Sequence, residues 1–198
     1  MRNAILWACL VWTVGAQAAE RAIEKEIVVA APIESVWQTW TSKAGIESFF
    51  APEAEIEPRV GGAFHVHMDP LAAPGAKGAD DMRFMALQKP KMLTFDWNAP
   101  PSLPEVRGQR TFVEVRLEPV GDKQTRVTLH HTGWGEGGEW DKAYAYFDRA
   151  WGNVLGNLKK VLTPDGYLVL GLGDPAGDLA ILPGQPGIYR AQADRRAA

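Results

Sequence analysis

The chain has 198 residues, with 21 Lys or Arg against 24 Asp or Glu and a formal net charge of −3 at pH 7. That length suits one domain with a sizeable core and is short for two. Mixed charge without basic runs excludes a nucleic-acid footprint and an anionic-membrane surface, and a lone cysteine, Cys9, excludes a disulfide framework.

Residues 1–18, MRNAILWACLVWTVGAQA, read as a secretory signal peptide: Arg2, an apolar run from Ala4 to Gly15, then the small-x-small pattern Ala16-Gln17-Ala18. The run is too short to span a bilayer. Cleavage before Ala19 is therefore expected to leave no stable membrane anchor, and the destination is periplasmic. Cys9 follows Leu6-Trp7-Ala8 too early, and behind too bulky a Trp, for a lipid anchor. Its removal leaves the mature chain without a thiol, which excludes thiolate catalysis and Cys-based zinc sites.

Residues 21–29, RAIEKEIVV, predict a first strand with Ile23, Ile27 and Val29 on one face, interrupted by Lys25. In APIESVWQTWTS, Pro32 suits a first helical position, and Ile33, Val36, Trp37 and Trp40 fall at i, i+3, i+4 and i+7. Gly45 is expected to end this helix, IESFF to form a second short one, and Pro52 to Pro58 a loop. From Gly61 the apolar period changes to two across FHVHM, MRFMALQ, MLTFDW, TFVEVRLEPV and RVTLHH. The links Gln88–Lys91 and Val120–Lys123 have hairpin length. Strands joined this closely predict an antiparallel meander, because parallel pairs need long crossovers. LAAPGAKGAD is longer, rich in small residues and predicted mobile.

The last predicted element is a long helix over EWDKAYAYFDRAWGNVLGNLKKVL. Tyr144, Phe147, Trp151, Val154, Leu155, Leu158 and Leu162 trace its apolar stripe. Lys159 and Lys160 suit its C-terminal dipole, and Pro164-Asp165-Gly166 stops it. The chain thus divides into a signal peptide (1–18), a domain (19–163) and a Gly/Pro-rich C-terminal extension (164–198). The fold class is α+β. A curved antiparallel sheet of about six strands wraps a long C-terminal helix, its only large partner, with two short helices after the first strand.

At this point the chain resembles the helix-grip domains of the SRPBCC (START/polyketide cyclase) superfamily. Within them it is most similar to the branch named for activators of the heat-shock protein 90 ATPase. The residues behind the resemblance are IVVAAPIESVWQTWTS, Val60-Gly61-Gly62-Ala63-Phe64, Leu93-Thr94-Phe95-Asp96-Trp97, Thr125 to Trp134, and Trp151 with Leu155 and Leu158. They cover roughly residues 22–162 in order. The signal peptide and the extension lie outside the pattern, and export departs from the usual cytosolic setting.

GWGEGG, with Gly133, Gly135 and Gly138, matches the glycine spacing of a dinucleotide fingerprint. Glu136 and Glu139 stand where a pyrophosphate would sit, and the strand ahead belongs to a meander rather than a βαβ unit. Nucleotide binding is therefore not expected, and the glycines read as a loop into the long helix. His65 and His67 share a strand face, with Asp69 at the next position of that face, but the Phe64, Val66, Met68 alternation turns them to solvent. No metal site or cofactor is expected. Asp80-Asp81 reads as a solvated carboxylate pair. His131 continues the inward face of Val127 and Leu129 and is the one candidate acid or base, with Tyr144 or Asp148 as helpers. The alternative is a histidine satisfied by its neighbours.

Three functions stay open. The leading one is an exported protein that binds a small hydrophobic molecule in a cavity between sheet and long helix. Its expected walls are Trp37, Trp40, Phe64, Phe95, Trp97, His131, Tyr144, Phe147 and Trp151, from elements whose apolar faces converge. The rival is enzymatic: a cyclase, dehydratase or hydrolase-like activity on an aromatic or lipid-like substrate through His131, as other branches of the resembled superfamily imply. The third is a protein-interaction module. The expected state is a monomer or homodimer.

Overall fold

The computed structural model describes residues 20–162. The expected signal peptide and the C-terminal extension lie outside the described residues. The elements run β1 (Ile23–Val29), α1 (Ile33–Thr41), α2 (Lys43–Phe49), β2 (Glu53–Ile56), β3 (Phe64–His67), β4 (Gly78–Ala79), β5 (Phe84–Gln88), β6 (Met92–Trp97), α3 (Pro104–Arg107), β7 (Thr111–Pro119), β8 (Thr125–Thr132) and α4 (Gly138–Val161).

Period two decides the inner face of the sheet. Thr111, Val113, Val115 and Leu117 of β7 and Thr125, Val127, Leu129 and His131 of β8 are buried, and their alternate neighbours are not. β5 to β8 form the predicted meander, and β1 returns antiparallel onto β8, giving a five-stranded order β1-β8-β7-β6-β5. β3 leaves the meander. It pairs with β2 and β4 in a three-stranded sheet and reaches β5 through the Ala63–Arg83 bridge. The loop expected from Pro52 to Pro58 is therefore partly the strand β2. Glu53 and Glu55 sit opposite His67 and His65 in its register, a polar pairing that hides the strand from an apolar-period search.

α1 ends because Ser42 turns extended (φ −127°, ψ 151°), and its side chain caps α2 at Gly45 N, 3.1 Å away. Gly45 is thus not the breaker. It lies inside α2, where a Cβ would come within 2.2 Å of Thr39 O. α4 buries Ala143, Phe147, Trp151, Leu155 and Leu158, with Leu162 just beyond its end. β1 is stapled along it: Lys25 pairs with Asp148 at 2.7 Å, Arg21 with Asp141 at 2.6 Å, and the Tyr144 hydroxyl donates to Ala22 O at 2.8 Å.

Between sheet and helices runs a stack of rings. Phe95 lies 4.1 Å from Phe64, 5.6 Å from Trp97 and 6.4 Å from Trp40, centroid to centroid, and Trp97 lies 5.5 Å from Trp151. Phe95→Ala should lower unfolding stability in urea by about 3–5 kcal/mol. Phe112→Ala, on the outer face and 42% exposed, should stay within about 0.5 kcal/mol. Equal losses would overturn this assignment of faces.

Candidate ligand pocket

His131, the candidate acid or base, lies near the end of β8. It is fully buried, and both ring nitrogens are engaged. Trp151 Nε1–H donates to its Nδ1 at 2.9 Å, and its Nε2 lies 2.7 Å from Thr111 Oγ1. An indole only donates, so Nδ1 is the bare nitrogen and Nε2–H donates to Thr111. The Thr111 hydroxyl passes the chain on to Trp97 O at 3.2 Å. Burial, and secondarily the charge of His130, lowers the His131 pKa to about 3.

Neither expected helper reaches this ring: Tyr144 bonds Ala22 O, and Asp148 pairs with Lys25. Trp134 closes the remaining side, its ring 4.2 Å from that of His131 and its Nε1 donating to His131 O at 2.9 Å. The GWGEGG loop has a steric purpose here. Gly133 holds φ at 82°, and a Cβ on Gly135 would sit 2.3 Å from Trp140 Nε1. β8 ahead of the loop is antiparallel to both neighbours, so this is no βαβ unit.

Of the nine expected wall residues, Trp37, Trp40, Phe64, Phe95, Trp97, Phe147 and Trp151 are buried in one core cluster, with Tyr144 half-buried against it. His131 joins through ring contacts to Phe147 and Trp151. These rings pack mainly against one another. Trp97 and Phe147 also border a cavity of about 240 Å³ at the end of β6. Its other walls are Met68 and Asp69 after β3, residues 76–79, Asn98 to Pro101, and Tyr146. None of those was on the expected list. The legible hint was the NAPP stretch, where an amide and two prolines break a strand abruptly.

The loop over LAAPGAKGAD, predicted mobile, is tied at its far end. Asp80 accepts from Gly75 N, Lys77 N and Gly78 N at 3.1–3.4 Å. Arg107 of α3 donates to Gly75 O at 2.6 Å, Gly78 O at 2.8 Å and Ala99 O, and pairs with Asp80 at 3.3 Å. Asp80 is thus no solvated carboxylate: its side chain is 16% exposed, whereas Asp81 is 63% exposed and pairs with Arg110. A polar recess of about 410 Å³ lies around these groups and meets the apolar pocket at Asn98.

On the small sheet, His67 sits 2.8 Å from Glu53 and His65 3.2 Å from Glu55. The His67 hydrogen bond holds the Glu53 carboxyl below the usual carboxylate range. Among the described residues, no group of three or more His, Cys, Asp or Glu is arranged to hold a metal ion.

An antiparallel sheet carrying two short helices and gripped along one face by a 24-residue C-terminal helix defines an α+β helix-grip domain of the SRPBCC type. The family model for Activator of Hsp90 ATPase homolog 1-like protein matches residues 30–163, and the chain belongs to that family. Among solved structures it is similar to a Mesorhizobium loti protein, with 21% identity and a TM-score of 0.59 over 78% of this chain and 99% of that one. The Aha1 dimer from Colwellia psychrerythraea gives 22% identity and a TM-score of 0.57 over 74% of this chain and 98% of that one. An HSP90 activator from Plasmodium falciparum gives 17% and 0.54 over 76% and 96%. These likenesses establish the fold. No curated protein matches the sequence.

Two outcomes follow from the site. The depressed His131 pKa stabilises the fold fully above its ordinary value of 6.5, and that contribution is lost as pH falls toward about 3. The loss should run at up to about 1.4 kcal/mol per pH unit. Stability measured against pH for the protein and for His131→Asn should diverge in that window; parallel curves would overturn the sealed-neutral assignment. Arg107→Ala should speed amide exchange across residues 70–79 by at least about tenfold while leaving the α4 amides protected.

Proposed function

We propose that this protein is an exported binding protein for a small hydrophobic molecule, held in the pocket at the end of β6. The observation that carries the reading is the composition of that pocket: Trp97, Phe147, Met68, Ala99, Pro100 and Pro101 all border a space of about 240 Å³. Such a site is what an apolar ligand needs, a concave apolar wall with few polar groups. Large apolar side chains continue outward from it. Met68 is 43% exposed and Tyr146 44%. Burying apolar surface there contributes about 25 cal/mol per Å² before ordering costs.

Export rests on the N-terminal segment, with Arg2, the apolar run Ala4–Gly15 and the Ala16-Gln17-Ala18 site. The sealed state of His131 favours binding over acid–base catalysis at that residue. Membership of the activator family supports a second reading, a surface that engages a protein partner. An exported chain would be separated from a cytosolic chaperone, so the localisation experiment discriminates between the two. For assembly the reading takes a monomer or homodimer; the Colwellia relative is described as a dimer.

The expected outcome is a periplasmic mature chain beginning at Ala19, whose organic extract contains a near-stoichiometric apolar compound by mass spectrometry. Binding of that compound should quench tryptophan emission. An empty extract, together with no quenching across a panel of lipids and aromatics, would sink the binding reading. A full-length chain retained in the cytoplasm would sink the export reading.

A further inference from the structure

We infer that the ligand is an amphiphile: a compact apolar body of one or two rings at the end of β6, carrying a neutral, hydroxylated head in the polar recess beside it. This deepens the binding reading and rests on it. The recess, about 410 Å³, is bordered by Asp80, Asp81, Asn98, Arg107 and Arg110, and the apolar pocket measures about 240 Å³. Asn98 borders both. The stretch 75–80 is divided between them as well: Gly75 and Asp80 border the recess, and residues 76–79 border the pocket. An apolar cavity of about 150 Å³ holds benzene, so the pocket admits one substituted ring or a compact fused pair.

The charges of the recess select against an ionic head. Its two guanidinium groups and two carboxylates are matched in pairs, Arg107 with Asp80 at 3.3 Å and Arg110 with Asp81 at 2.6 Å. Asp96 lies a further 3.6 Å from Arg110 Nε. Arg107 also donates to Gly75 O, Gly78 O and Ala99 O, so its guanidinium is spent on the protein. An anionic head would have to displace a carboxylate, and a cationic head a guanidinium. Either would exchange one ion pair for another and give up its own hydration.

A hydroxyl requires no such exchange, because it both donates and accepts. The recess offers partners of each kind. The Asp81 carboxylate is 63% exposed beyond its pairing with Arg110. Arg110 directs Nη1 at the Met82 sulfur, 3.6 Å away, a weak acceptor that a hydroxyl oxygen betters. The Asn98 carboxamide, donor and acceptor in one group, has no hydrogen bond to any described residue and is not sealed from solvent. It stands where the two spaces meet, and so marks the join between body and head.

The test titrates the purified protein with four naphthalenes that differ in the group at position 2: 2-methoxynaphthalene, 2-naphthyl glucoside, 2-naphthyl phosphate and trimethyl(2-naphthylmethyl)ammonium. Affinities come from calorimetry, and 15N–1H correlations follow Asn98 Nδ2 and the Arg110 guanidinium. The glucoside should bind at least about tenfold more tightly than each of the others and should shift both side-chain resonances. In Asn98→Ala and in Asp81→Ala its advantage over 2-methoxynaphthalene should shrink to about threefold or less, with 2-methoxynaphthalene still bound as proof of an intact pocket. Equal binding of glucoside and 2-methoxynaphthalene, an advantage that survives both substitutions, or tightest binding of the phosphate or the ammonium would overturn the inference and leave hydrophobic binding standing. If none of the four binds up to its solubility limit, the binding reading fails and takes this inference with it.

Discussion

The geometry of the domain depends on one hydrogen bond, from Trp151 Nε1–H to His131 Nδ1. Apolar burial presses α4 onto the sheet but is non-directional, so a smooth stripe of Phe, Trp and Leu permits rotation and sliding. The indole–imidazole bond does not. It stands in an apolar interior, where a broken hydrogen bond leaves two groups stranded at a cost of about 1–3 kcal/mol each. It continues through Thr111 Oγ1 to Trp97 O, so a single polar thread ties α4, β8, β7 and the end of β6. With Trp151 fixed, Phe147 one turn earlier is set against Trp97, their centroids 6.5 Å apart. That pair forms the inner wall of the pocket.

The same thread takes His131 out of reach of any reaction. A general base needs a free nitrogen with a pKa near the working pH. His131 has both nitrogens occupied, Trp134 over its face and a pKa near 3. The rings expected to line a cavity between sheet and long helix spend their surface on one another, and the open space lies outward, where β6 stops. There Asn98 interrupts the apolar alternation, and Pro100 and Pro101 prevent the strand from continuing.

What the sequence made legible was whatever has a period. The alternation in β7 and β8 put His131 inside, and the i, i+3, i+4 stripe of α4 identified Phe147, Trp151, Leu155 and Leu158 as its buried face. Elements without a period were missed. β2 alternates Glu with Ala and Ile and owes its identity to histidines on another strand; β4 has two residues, and α3 has four. Thr111 was legible as an inward position but not as the partner of a residue 20 positions away. Arg107 was the hardest to see. Its partners are backbone carbonyls and one carboxylate, brought to it by loops whose course no local pattern specifies.

The pocket therefore has two unlike sides. Trp97 and Phe147 belong to a close-packed aromatic interior, which resists deformation because any shift opens voids elsewhere. The facing residues, 76–79, run from a loop into β4 and are held by its pairing with β3, by Asp80 and by the reach of one arginine from α3. A close-packed aromatic wall thus stands opposite a segment tied through its backbone. Trp97 and Phe147 therefore serve the core and the pocket wall at once, so the inner wall of the pocket is fixed by the packing beneath it.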